Sequence, residues 1–558
     1  MIAFLFSSAL LKLANLWVRL FRKTRLFRRC PVTETLLPQY DKQAEQRLQR
    51  IRQDRELYDP VYLSEKLGID SSLRVRAVRE LPAKERYPAG ILIPKLLIIA
   101  SLKIRDRNSG ALSSFRQLER LYHVLGSPRI LKDWKDDVEF VRQRLQGVNP
   151  VWIRRCDDPS ELLEHGLDQQ VYARLRQAHR PENPLYVVNY HELLQDIPLV
   201  EGRHLAPAIA FFECRQEVLY PLGIQLYSEA SGAVWFHPDG SPGWTLAKMF
   251  FNSADLFVHE SLTHLLWTHL FLENFWIATV RNLSDKHPVR KLLAPHFHFS
   301  LNANANSNRI LLGETGIFAE LFSAGRAGTI RLLEKGEAMW TLEWTALPQL
   351  LVRNGTLDLP GYLYRDDGML LWEAVEMYVH HYLNLYYHGQ DDLCSDHELA
   401  DWTAEMTDFW GSGKIPTIDT VDRLKEVLTA ILFSVIQHTF VGAVQFEYIA
   451  YPPAMPPMLR IPVPAAQEQV QEGDLLRALP VLSDIHTIIK ATYAFSMQYT
   501  TLGRHLKDYH GDPAAQSVVR DFQQHLEQLE TLIHERDLKR SKPYRISRPQ
   551  QIANSVSA

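Results

Sequence analysis

Three histidines, His259, His264 and His269, stand five residues apart in DLFVHESLTHLLWTHLFLENFWIAT, a stretch without glycine or proline. Neutral imidazole is the side chain most often used to bind a metal. Two histidines that hold one metal from a regular helix stand four apart, on one face. A five-residue step turns the helix by about 500°, so neighbours at that spacing end roughly 140° out of register. The spacing becomes productive if the helix carries a π-type turn, whose i→i+5 bonding brings i and i+5 into line. A lone histidine in an apolar helix reads as core packing. Three at equal spacing read as a metal site, with a π-type turn near His264 to His269.

Long helices must carry such a site. Helical periodicity runs over 137–146, 245–279, 369–387, 421–444, 481–497 and 514–535. Strand-like stretches are short and few, GAVWFHP among them, and there are no tandem repeats or Gly/Ser linkers. Helices of this length around one core imply a single large, mainly α domain over 31–558, built on a long core helix that bears the metal. The composition, 46% hydrophobic and 23% charged, is that of a globular protein. A net charge of −3 excludes a general nucleic-acid binder. The four cysteines, Cys30, Cys156, Cys214 and Cys394, are widely spaced with no CxxC pair. They fit a reducing, cytoplasmic compartment better than a disulfide scaffold. No uninterrupted apolar run reaches the roughly 18 residues of a membrane-spanning helix.

Residues 1–30 differ from the rest. Seven Lys or Arg and no acid lie between Lys12 and Arg29. Ser8, Lys12, Asn15, Arg19 and Arg22/Lys23 recur at helical intervals opposite Phe4, Leu10, Leu11, Leu13, Trp17, Val18 and Phe21. The charges fall within and after the apolar stretch, unlike those of a cleavable signal peptide. The segment reads as an amphipathic helix lying on an anionic membrane surface through residues 1–29. A helix docked on the body of the protein is the alternative.

HLLWTH followed by ENFWIATVRNLSDKHPVRKLLAPHF resembles the signature of the lipoxygenase family. Further motifs follow the family's order: RLQGVNPVWIRRC and LAPAIAFF before it, then DLPGYLYRDDGMLLWEAV, IQHTFVGAVQFEY, YPPAMPPMLRIPVP and the terminal NSVSA. The resemblance runs from about residue 130 to the end. It implies a non-haem iron dioxygenase, with manganese a weaker candidate, that inserts molecular oxygen into the 1,4-pentadiene of a polyunsaturated fatty acid or fatty acyl lipid. Hydrogen abstraction would be by a ferric hydroxide, giving conjugated hydroperoxides. The implied ligands are His264, His269, His438 and the main-chain carboxylate of Ala558, where the family normally ends in Ile.

His259 looks like a support for the ligands, and Glu260 and Gln445 match a family pair that hydrogen-bonds between the two ligand helices. Gly442 departs from the family, which usually places Asn or His there. Leu311 matches a leucine over the pentadiene, and Leu256, Leu321 and Phe322 match positions that set pocket depth, ordinary core packing being an equal reading for these three. Ser307 falls where S-specific members carry Ala and most R-specific members Gly. His287 and His296 read as packing groups, and His380, His381 and His388 as surface residues. The span from Met1 to His264 is too short for the lipid-targeting β-sandwich of many eukaryotic members, which implies a compact, bacterial-type enzyme. A peripherally membrane-associated, cytoplasmic enzyme is expected. Gly442 leaves open a hydroperoxide isomerase on the same fold, and a metal-free lipid-binding protein is the non-enzymatic alternative.

Overall fold

The computed structural model describes residues 2–23, 33–104, 110–504 and 506–556. Its axis is one uninterrupted helix over 242–282, made of an α segment Pro242–Val258, a π segment His259–Leu270 and an α segment Phe271–Asn282. Pro242 at the first helical position and the Ser241 hydroxyl, which accepts from the Trp244 amide, fix its start. Both α segments are buried on nearly every side, as their all-round apolar composition requires. The expected π-type turn is present and extends over twelve residues.

The helix Val421–Gly442 packs along the π segment and is itself buried continuously from Val427 to Gly442. The helix Leu363–Leu383 supports it from behind, and Pro513–Lys539 packs against that. A buried ion pair, Arg144 to Asp255 at 2.7 Å, fastens the helix Asp137–Gln146 to the axis. Asp255 also accepts from Tyr190 and Asn149, at 2.6 and 3.0 Å. Buried charges need that full set of partners to be tolerated.

The domain is mainly helical, as expected, but its strands are longer than the sequence reading allowed. Arg154–Arg155, Leu185–Asn189, Ala208–Arg215, Val218–Ser228 and Gly232–Phe236 form an antiparallel five-stranded meander, with a bulge between Phe211 and Phe212. Ala208 to Cys214 is buried on both faces. It therefore shows a continuous apolar run instead of alternation, a pattern that does not separate strand from helix.

The N-terminal helix Ile2–Lys23 is docked on the helices Ala89–Lys103 and Leu482–Phe495, the alternative that its sequence left open. Phe4, Leu11, Ala14, Val18 and Phe21 are buried in this contact. Part of the expected polar stripe faces the body. Ser8 is buried, Asn15 donates to the Tyr493 hydroxyl at 2.8 Å, and Arg22 donates to Gln498 at 3.3 Å. The opposite side exposes Leu5, Phe6, Leu13, Leu16, Trp17 and Leu20, and the neighbouring helix adds exposed Leu92, Ile93 and Leu96. Arg25, Arg28, Arg29 and Cys30 lie outside the described residues.

Candidate metal centre and substrate channel

The π segment turns His264 and His269 to the same side, where they meet His438 from the facing helix. One ring nitrogen of each lies within 4.8 Å of the other two. Nε2 of His438 and Nε2 of His269 are 3.0 Å apart. Burial, followed by the neighbouring imidazoles, lowers the pKa of His438 well below the usual histidine range, and burial takes His269 down to about 3. Both rings are therefore neutral, and at this separation one Nε2–H donates to the lone pair of the other. A cation among them would take the place of that proton, and an all-imidazole face suits a first-row transition metal.

The groups behind the rings fix their orientation. With Nε2 directed inward, His269 donates from Nδ1 to Asn304 Oδ1 at 2.9 Å. The Asn304 amide donates in turn to the His269 carbonyl and to Glu273, each at 2.8 Å. Burial raises Glu273 to about 7. His264 Nδ1 lies 3.2 Å from Glu260 Oε2 and 3.0 Å from the Gln445 amide. Glu260 and Gln445 thus both meet the His264 ring, and among the described residues no hydrogen bond joins the two side chains to each other. His259 Nε2 lies 3.0 Å from the Val441 carbonyl, and its ring stacks on His264 at 9° and 5.5 Å.

Gly442 closes the same ring of groups. A Cβ there would lie 3.1 Å from His264 Nε2 and 3.4 Å from His438 Nε2. Position 442 therefore faces the ligand nitrogens. The C-terminal strand of chain approaches from beside Thr439, whose hydroxyl accepts from the Ala553 amide at 3.0 Å. Asn554 is held by Thr500, Gly503, Pro295 and His296, all within 3.1 Å, and Val556 is buried. Ala558 lies outside the described residues. His287 caps the helix Pro288–Leu293 and bonds Asp396 at 2.9 Å, so it and His296 are packing groups.

Leu311, Leu321 and Phe322 line one apolar cavity with Ile488, Ala491 and Phe495, and Glu260 lines it as well, joining it to the histidine cluster. Leu256 is buried in the core helix but does not line this cavity; its neighbour Phe257 faces Phe322, with ring centroids 6.1 Å apart. Ser307 is half-buried on the helix Ser300–Leu312, one turn before Leu311. A larger cavity of about 580 Å³, lined by Tyr58, Tyr87, Trp276 and Phe299, touches none of the three histidines. Asn304 and Glu273 escaped the sequence reading. Asn304 sits in the polar run LNANANSNR, where nothing marks one asparagine from the next.

Residues 122–551 match the family model described as Lipoxygenase. The chain is 28% identical to the polyunsaturated fatty acid lipoxygenase ALOX8 of Mus musculus, over 80% of this chain and 70% of that one. It is 30% identical to the hydroperoxide isomerase ALOXE3 of Rattus norvegicus, over 84% and 69%. Among solved structures, a lipoxygenase in complex with arachidonate superposes with a TM-score of 0.82 at 26% identity, covering 94% of this chain and 84% of that one. Coral 8R-lipoxygenase superposes with a TM-score of 0.80 at 26% identity, over 94% and 83%.

Proposed function

The chain belongs to the lipoxygenase family, and we propose that it is a non-haem iron dioxygenase that converts the 1,4-pentadiene of polyunsaturated fatty acids into conjugated hydroperoxides. The observation that carries this reading is the meeting of His264 and His269, aligned by a π segment, with His438 from the facing helix. These three, with the terminal carboxylate of Ala558, would hold the iron. When bound, iron supplies the one-electron acceptor needed to break a weak bis-allylic C–H bond.

The chain's own residues supply position. Asn304 and the Glu260–Gln445 pair keep the imidazoles of His269 and His264 turned inward, as supporting hydrogen bonds do in metal sites. Leu311, Leu321 and Phe322 offer the acyl chain an apolar wall beside the cluster and keep water from the reacting carbons. Product analysis by chiral chromatography after incubation with linoleate and arachidonate, with iron content measured on the same protein, tests the reading. Protein loaded with iron that yields no hydroperoxide would overturn it. Pure protein that neither holds nor accepts a metal would favour a lipid-binding protein instead.

Gly442 favours a second reading. A glycine facing the ligand nitrogens leaves three imidazoles and one carboxylate, a set that would suit turnover of preformed hydroperoxides. Anaerobic incubation with a fatty acid hydroperoxide separates the two: isomerisation faster than aerobic oxygenation of the parent acid selects the isomerase.

Peripheral attachment to anionic membranes is part of the proposal. Phe6, Leu13, Leu16, Trp17 and Leu20 are exposed on the N-terminal helix beside exposed Lys12 and Arg19. An apolar face flanked by cations suits a bilayer interface.

A further inference from the structure

The N-terminal helix Ile2–Lys23 carries Asn15, Arg19 and Arg22 at intervals of four and three, on one face. That face borders a cavity of about 630 Å³, which Gln498, Thr501 and Arg504 also line. Neither the helix Ala89–Lys103 nor the three clustered histidines contribute to it. Three guanidinium groups thus share one cavity, and among the described residues lining it there is no Asp or Glu. Arg22 donates to the Gln498 side chain at 3.3 Å and to the Gln550 carbonyl at 3.1 Å. Arg504 donates to the Arg22 carbonyl at 2.5 Å. These bonds hold the two side chains at the cavity but supply no counter-charge. Burial lowers the pKa of Arg22, and the charges of Arg504 and Arg19 lower it further. Like charges gathered in a partly buried site repel one another. An anion among them turns that repulsion into attraction, and the planar fork of a guanidinium matches the oxygens of a phosphate.

The surroundings identify the source of the phosphate. Arg19 is itself exposed, with exposed Leu20 beside it and exposed Leu16 one turn before it. Leu13 and Trp17 continue this apolar face. Arg19 thus belongs both to the cavity wall and to the edge of the face proposed to meet the bilayer. A lipid under that face would have its acyl chains against the leucines and its phosphate at the level of Arg19. A headgroup with its own ammonium, as in choline or ethanolamine lipids, would bring a fourth cation to the three already there, and that repulsion selects against it.

We propose that Arg19, Arg22 and Arg504 bind the phosphate of a glycerophospholipid whose headgroup carries no cation, such as phosphatidylglycerol or phosphatidic acid. The lipid as source rests on the membrane reading of the N-terminal helix; the anion site rests on the three guanidinium groups.

Binding of the full chain to vesicles of two compositions with equal surface charge tests the site. One is phosphatidylcholine mixed with phosphatidylglycerol, the other phosphatidylcholine mixed with dioleoylglycerol succinate, whose charge is a carboxylate. Removing any one cation near an anionic surface weakens binding about fivefold. Lys12→Gln, on the same helix but outside the cavity, should show that loss on both compositions. Arg19→Gln, Arg22→Gln and Arg504→Gln should each lose about tenfold more on phosphatidylglycerol than on the succinate lipid. Monomeric dihexanoyl phosphatidylglycerol, titrated by calorimetry, reads the cavity without a membrane. It should bind more tightly than inorganic phosphate and be weakened by Arg19→Gln. Inorganic phosphate binding as tightly as the short lipid would overturn the lipid as source. Losses from the three arginine variants that match those of Lys12→Gln on both compositions would overturn the site and leave ordinary attraction to the surface. If the short lipid binds through Arg19 and Arg22 but neither vesicle binds, the site stands and the membrane reading falls.

Discussion

His269 and His438 face each other through their Nε2 atoms at 3.0 Å, although 169 residues of chain separate them. Two helices are pressed together at a point where both rings are buried and neutral. A metal bound there would replace the shared proton as the link between the two rings. His438→Ala should therefore lose most of its bound iron and its oxygenase activity while remaining folded. Elemental analysis beside a thermal melt checks this, and a variant that kept both iron and rate would remove His438 from the ligand set.

Gly442 makes a sharper test because its neighbours are known. A side chain there brings its Cβ to 3.1 Å from His264 Nε2, so the imidazole must give by a few tenths of an ångström. Asn adds an oxygen ligand in return for that shift, whereas Ala adds only the crowding. Gly442→Asn should hold iron at least as tightly as the natural protein, and Gly442→Ala about tenfold less tightly. Iron retained after dialysis against a chelator ranks the three. Ala and Asn variants that behave alike would show that position 442 does not reach the metal.

Much of this site could be read from the sequence because its signals are local. Five-residue spacing in an unbroken helix has one productive geometry, and the π segment supplies it. Other features are assembled only in three dimensions. Asn304 earns its role from the ring it faces, not from its neighbours in the chain. The N-terminal helix is ambiguous in the sequence for a different reason. Docking on a protein and lying on a membrane both select an apolar stripe, and here the helix carries one that is buried and one that is exposed.

The two stripes decide how the proposed membrane binding should be probed. Removing the N-terminal helix would uncover the partners of Phe4, Leu11, Val18 and Phe21, so the truncated protein should melt several degrees lower. Polar replacements on the outer face avoid this. Phe6, Leu16 and Leu20 are 60%, 56% and 58% exposed, so changing all three to Ser should leave the melting temperature nearly unchanged. Binding to anionic vesicles should fall at least tenfold, given about 1.5–3 kcal/mol for each large apolar side chain fully withdrawn from water. Residual binding should fade with salt, because Lys12 and Arg19 contribute about 1 kcal/mol each near such a surface. Vesicle binding unchanged by the triple replacement would leave the helix with its docking role alone.

Ser307 bears on which face of the substrate oxygen reaches. Asn304, Ser307 and Leu311 recur at intervals of three and four on one helix and so share a face. Asn304 holds the His269 ring, and Leu311 lines the apolar cavity. The side chain at 307 would therefore stand between His269 and the cavity wall, next to where a pentadiene would lie in the proposed reaction. A group the size of a methyl or hydroxymethyl shields one end of that pentadiene from oxygen, and a hydrogen opens it. Serine is close to alanine in bulk, so the natural enzyme should release chiefly S-hydroperoxide. Ser307→Gly should move oxygen to the other end of the pentadiene with inverted configuration. Chiral chromatography of the products from linoleate reads both position and handedness at once. A purely R product that Ser307→Gly leaves unaltered would assign control of oxygen access to another residue.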